Sequence, residues 1–206
     1  MQTQINGITI AYSDQGNGLP IVMLHAFPLN RTMWAAQEKV LSSRFRIITI
    51  DLRGPGESDA PLWHYTLEQS ADDVNALLDY LSIPQAVFVG LSMGGYILFA
   101  FYRKYAARVK GLILADTKAQ ADTVEGKEGR FQMAQTSYKK GPSAIVDTML
   151  SKLLSPETIQ TRPSLVQQVR TIIENSQISG IAGDLMAMAE RPDSIPLLNH
   201  ITCPTQ

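Results

Sequence analysis

The chain has 206 residues, 45% hydrophobic and 18% charged, enough to bury one full core with room for an inserted lobe. Its formal net charge of -1, with neither a basic stripe nor an acidic tail, excludes the electrostatic footprint of a nucleic-acid or anionic-membrane binder. The start Met1-Gln2-Thr3-Gln4 shows no signal-peptide pattern, no run reaches the ~20 apolar residues of a membrane span, and the single cysteine, Cys203, can form no internal disulfide, so a cytoplasmic protein is expected.

In chain order, Gln2–Ile5 and Ile8–Tyr12 flank Asn6-Gly7, which predicts a two-residue hairpin. Asp14 to Pro20 reads as a polar loop. Ile21-Val22-Met23-Leu24-His25 is almost continuously apolar, as a strand covered on both faces should be, and it gives way to Ala26-Phe27-Pro28. A helix through Met33, Trp34 and Val40 leads to a strand over Phe45–Ile50. Asp51-Leu52-Arg53-Gly54-Pro55-Gly56-Glu57-Ser58 is turn chemistry. Apolar residues at Val74, Leu77, Leu78 and Leu81 predict a helix from Leu67 to Leu81, closed by Pro84.

The next stretch carries the chemistry. Ala86-Val87-Phe88-Val89 has the length and composition of a strand and stops at Gly90, while Tyr96, Leu98, Phe99 and Tyr102 begin a helical pattern. Between them lies Gly90-Leu91-Ser92-Met93-Gly94, a G-x-S-x-G in the strand-turn-helix context that gives the motif its meaning. Lifting a hydroxyl off a strand end while starting a helix strains the backbone at the serine. Side chains two residues to either side would strike the neighbouring strand and helix, so both are glycine. Gly111–Ala115 is one more strand and ends at Asp116. Strands alternating with helices after an opening hairpin give an α/β fold with a mostly parallel sheet wrapped on both sides.

Beyond Thr117 the pattern changes. Ala119–Lys140, Pro142–Leu154, Pro156–Thr161, Pro163–Asn175 and Gln177–Glu190 all read as helical, punctuated by Gly141-Pro142, Ser155-Pro156 and Arg162-Pro163. The expected division is a core over 1–117, an inserted helical lobe over 118–198, and the start of another core strand over 199–206. Met133, Met149, Met186 and Met188 could line an adaptable apolar pocket or simply fill the lobe's core.

These motifs together resemble the α/β-hydrolase superfamily, in its esterase, enol-lactonase and cofactor-free haloperoxidase group. The matching segments are His25-Ala26-Phe27-Pro28, Asp51 through Ser58, Gly90 through Gly95, and Arg191-Pro192-Asp193 through Ile201-Thr202-Cys203-Pro204-Thr205. The resemblance implies Ser92 as nucleophile, the backbone N–H groups of Phe27 and Met93 as oxyanion hole, and the helical lobe as a cap over the pocket. It makes His25 a structural histidine and Arg53 half of a structural ion pair. The family usually has glycine where Ala26 stands. Serine at the elbow sets the chain apart from dehalogenase and epoxide-hydrolase types, which need Asp there, and from the dienelactone-hydrolase type, which needs Cys. The implied activity is hydrolysis of a small carboxylic ester or lactone through an acyl-enzyme. No cofactor is implied, and the three histidines lack metal-ligand spacing.

A serine nucleophile needs a base oriented by an acid, in the order Ser, Asp or Glu, then His. Only His200 follows Ser92, at the entry of a strand and so at the wrong edge of a parallel sheet. His64, after the Ile47 strand, is a weak candidate for the base. Asp116 ends its strand on the correct edge and could serve as a surrogate acid, but has no imidazole to orient. The expectation is an α/β-hydrolase that stops before its acid and base, slow or inactive as it stands. It also predicts an apolar edge at Gly111–Ala115, to be covered by cap helices, a second copy or a companion C-terminal fragment. The alternative is a catalytically silent member of the fold that binds ligands or assembles with partners.

Overall fold

Asn6 and Gly7 both take left-handed backbone, φ 50° and 80°, and join β1 (Gln2–Ile5) to β2 (Ile8–Gln15) in antiparallel register with Ile5 opposite Ile8. The structure is a computed structural model that describes residues 1–206. β2 is longer than the sequence pattern suggests. Tyr12–Gln15 pair on their other side with β4 (Arg46–Ile50), where the reading above expects a loop from Asp14. The charge is accommodated because Arg46 grips Asp14 at two points, Nε to Oδ1 at 2.9 Å and Nη2 to Oδ2 at 2.6 Å.

With β3 (Pro20–Leu24), β5 (Ala86–Leu91) and β6 (Val109–Ala115), the sheet runs β1-β2-β4-β3-β5-β6. β4, β3, β5 and β6 are mutually parallel, so their carboxyl ends share one edge. Alternation puts Val22, Leu24, Ile48, Ile50 and Phe88 into the main core, with the apolar residues of α2 (Leu67–Tyr80) and α3 (Met93–Tyr105). Thr66 starts α2 through a capping box with Gln69. α2 buries a stripe of Leu67, Ala71, Val74, Leu77 and Leu78, whereas α3 is buried continuously from Met93 to Tyr102. The opposite face holds a smaller cluster of Met23, Trp34, Ile47 and Val89, where a 3-10 turn at Arg31–Trp34 and α1 (Ala35–Leu41) lie. At β6 that face is open, and Ile113 is exposed.

All regular structure after β6 is helical: α4 (Val124–Lys140), α5 (Ser143–Leu153), α6 (Pro156–Thr161), α7 (Pro163–Glu174), α8 (Ile178–Glu190) and α9 (Ile195–Leu198). α4 starts five residues later than its apolar pattern suggests. Thr123 caps it by accepting the Gly126 N–H at 3.1 Å, and the preceding carbonyls are committed elsewhere: Ala119 accepts from Ser194 N–H at 2.8 Å and Gln120 from Arg191 at 3.0 Å. α4 packs on α8 and α5 on α7. No helix is long and apolar enough to cross a membrane.

The apolar edge at β6 is not bare. Leu112 N–H donates to Pro204 O at 2.9 Å, Gln206 N–H to Leu112 O at 3.0 Å, and Leu114 N–H to Gln206 O at 2.9 Å, with Thr205 bridged in parallel to Leu112. The chain's own last three residues therefore occupy the ladder that an isolated Gly111–Ala115 strand would leave open. Cys203, beside them, is half-buried, its Sγ 3.9 Å from Thr205 Oγ1.

Candidate active site

β5 ends and α3 begins with a single residue between them. Ser92 fills that position at φ 51° and ψ -108°, a left-handed backbone that costs a side-chain-bearing residue on the order of 1–3 kcal/mol. The turn is held from both sides: Ser92 N–H donates to Ala115 O at 2.9 Å, and Thr117 Oγ1 donates to Ser92 O at 2.8 Å. Both motif glycines are required by space. A Cβ on Gly90 would stand 2.6 Å from the Gly94 carbonyl carbon, and one on Gly94 would stand 2.5 Å from Leu24 O.

The serine opens on a cavity of about 340 Å³ shared with Phe27, Tyr96, Met133, Met149 and Met188. Phe27 belongs to the loop after β3, where Leu29 N–H closes a turn onto Ala26 O at 2.8 Å and the Phe27 N–H has no acceptor. Met93 is the first residue of α3, so its N–H has no intrahelical acceptor either. Three of the four methionines singled out in the sequence line this cavity. The fourth, Met186, faces a separate cleft of about 300 Å³ with Trp63, His64 and Phe131.

None of the three imidazoles hydrogen-bonds Ser92. His25 is fully buried; its Nε2 accepts the Leu52 N–H at 3.1 Å and its Nδ1 lies 3.1 Å from Ala26 O, so Nδ1 carries the proton. Burial lowers its pKa, which keeps the ring neutral. His64 is exposed and pairs with Glu190 at 3.0 Å. His200 is an exposed residue just after α9. Asp116 follows β6 directly, at φ 41°, beside the carbonyl that holds Ser92; its exposed carboxylate has no hydrogen-bond partner.

The Asp51–Ser58 stretch is architectural. The Asp51 carboxylate accepts the N–H groups of Arg31 at 2.7 Å and Glu57 at 2.8 Å, and Ser58 Oγ donates to Asp51 O at 2.6 Å. Arg53 makes a two-point buried pair with Asp73 on α2, Nε to Oδ2 at 2.7 Å and Nη2 to Oδ1 at 2.8 Å.

Sequence reasoning passed over the charged part of the cavity wall. Arg130 on α4, Lys152 on α5 and Glu125 in the first turn of α4 all line it. Arg130 binds buried Asp122, which also accepts from Arg191 Nη2 at 2.8 Å. Burial works to raise the Asp122 carboxyl, but hydrogen bonds from Arg191 and Arg130 outweigh it and hold the pKa well below the usual range. Arg191 in turn lies 4.0 Å above the Tyr96 ring. No periodicity signals such a group, because its members sit on three separate segments.

Known proteins share this fold. The family described as alpha/beta hydrolase fold matches residues 20–142. A 3-oxoadipate enol-lactonase 2 from Acinetobacter baylyi is 29% identical over 184 residues, covering 89% of this chain and 67% of that protein. Among solved structures, a thermophilic esterase from Thermogutta terrifontis is 43% identical with a TM-score of 0.94, over 99% of this chain and 76% of that one. An enol-lactonase from Burkholderia xenovorans is 30% identical with a TM-score of 0.92, over 100% and 79%. The chain belongs to the α/β-hydrolase fold family, and the three relatives just described are an esterase and two enol-lactonases.

Proposed function

We propose that this chain supplies the nucleophile, the oxyanion donors and the substrate pocket of a serine hydrolase of carboxylic esters or lactones. The supporting observation is Ser92, held in strained backbone at the N-terminus of α3 on the wall of a cavity of about 340 Å³. In this reading Ser92 Oγ attacks the carbonyl carbon and its proton passes to a base. That proton then protonates the leaving alkoxide, which in a lactone stays tethered. Water cleaves the resulting acyl-enzyme. The N–H groups of Phe27 and Met93 hold the oxyanion, helped by the positive end of the α3 dipole. The relatives named as enol-lactonases and esterases favour ester and lactone substrates.

Residues 1–117 would then be the core and 118–198 a cap, since α4, α5 and α8 contribute the distal pocket wall. Residues 199–206 would open the next core strand. Because no imidazole here reaches Ser92, we place the base on other polypeptide, either a continuation or a companion chain. Asp116 is the surrogate acid available to it. The 206 residues alone should retain only what an oxyanion hole and binding provide, ~10³–10⁴-fold over water.

A fluorophosphonate tests this. Labelling should single out Ser92, be slow, accelerate with added imidazole, and vanish in Ser92→Ala. Labelling no faster than that of surface serines, with or without imidazole, would sink the nucleophile reading. It would favour the second reading, a silent ligand-binding or assembly protein, which the placement of the three histidines also supports.

A further inference from the structure

We propose that the cavity over Ser92 selects an ester or lactone bearing a second, ionised carboxylate, and that Arg130 is the residue that recognises it; this rests on reading Ser92 as the nucleophile. Half of the wall residues are apolar, Phe27, Met133, Met149 and Leu185 among them, and two cations enter it from different helices. Arg130 comes from α4 and Lys152 from α5. Lys152 is exposed and solvated, whereas the Arg130 side chain is only 21% exposed, so its free donors gain most from a partner in the ligand.

Arg130 has only half a partner. Its Nε binds Asp122 Oδ2, which fixes the plane of the guanidinium. Nη1 has the thioether sulfur of Met188 at 3.3 Å, a weak acceptor, and Nη2 has no acceptor in the chain. A guanidinium presents its donors as a rigid fork, so anchoring one edge leaves a second edge ready for a planar carboxylate. Asp122 does not neutralise it, because that one carboxylate is shared by Arg130, Arg191 and Lys118. Lys152 makes no ion pair within the chain. The single wall carboxylate, Glu125, is paired with neither cation. The wall therefore carries an excess of positive charge, and a substrate carboxylate would neutralise it while its ester carbonyl faces Ser92.

Binding of two small esters to the Ser92→Ala chain, which cannot turn them over, tests the idea by calorimetry or NMR titration. Monomethyl glutarate carries the carboxylate and dimethyl glutarate does not. The expected result is that the monoester binds roughly tenfold tighter at low salt, with the advantage shrinking as salt rises. Adding Arg130→Met should erase the preference while dimethyl glutarate still binds, which reports an intact pocket; Arg130→Lys should restore part of it. Equal or tighter binding of the dimethyl ester, no binding of either, or a preference that survives Arg130→Met would overturn the proposal. The two readings fail separately. Fluorophosphonate labelling of Ser92 without a charge preference defeats only this inference, and a charge preference without labelling defeats the nucleophile.

Discussion

The hydroxyl of Tyr65 donates to Asp184 Oδ1 at 2.8 Å and lies 3.2 Å from Gly180 O, joining the loop before α2 to the helix α8. The two segments fit closely there. A Cβ on Gly180 would collide with the Gly54 carbonyl, and one on Gly183 with the Tyr65 ring. Asp184 is thus sealed into the seam between the sheet-bearing part and the helices that form the far wall of the cavity, next to Leu185 on that wall.

Burial pushes the Asp184 carboxyl up to about 8, outweighing the Tyr65 hydrogen bond, which favours the carboxylate. The unfolded chain releases that proton near pH 4, whereas the folded chain holds it until about pH 8. Between those values the folded state binds more protons, so stability should fall as pH rises, by up to ~1.4 kcal/mol per pH unit from this group. Asp184→Asn keeps an acceptor for Tyr65 and removes the titration. Urea unfolding at pH 5, 6, 7 and 8 should give a declining series for the native chain and a flatter one for the variant. Parallel series would show that the seam does not depend on this proton.

Gly94→Ala should destabilise by about 3 kcal/mol or more, because the new methyl meets the Leu24 carbonyl and neither β3 nor α3 has room to retreat. A shift in the denaturant midpoint at unchanged m-value measures it. Gly129→Ala, on α4 with nothing within 4 Å of an added Cβ, is the control for stability and should be neutral or slightly stabilising.

Ser92→Gly should make the chain more stable by about 1 kcal/mol, since glycine takes φ 51° without the strain that a serine stores. The same change should abolish covalent labelling at this position. A loss of stability would mean that the hydroxyl has a structural duty.

Asp73→Ala should cost ~3–5 kcal/mol by leaving Arg53 buried without its counter-charge. It also strips Asn6 Nδ2 of its acceptor at 2.9 Å. Replacing both Arg53 and Asp73 with Met and Leu should recover most of the loss, and a double-mutant cycle would read the coupling.

Local signals were legible where they act locally. Asn6-Gly7, the apolar spacing of Val74, Leu77 and Leu78, and the two glycines around Ser92 each do what their chemistry requires within a few residues. The errors arose where a distant partner decides. Asp14 and Gln15 are strand only because β4 lies beside them, and 119–123 stay out of α4 because Ser194 and Arg191 claim the carbonyls of Ala119 and Gln120. The cavity cations escaped notice for the same reason, since Arg130 means little until Asp122 and Ser92 are placed around it.

The pairing of Gln206 with Leu112 and Leu114 sets a direction of travel. Leu114 is one residue from Ala115, the carbonyl that holds the Ser92 amide. Polypeptide attached at that point and kept in the same alignment would surface within a step or two on the rim where the nucleophile stands, without crossing the sheet. A peptide a few residues long, grafted there with a carboxylate or an imidazole at its tip, would therefore bring a new functional group to the sheet edge that carries the serine.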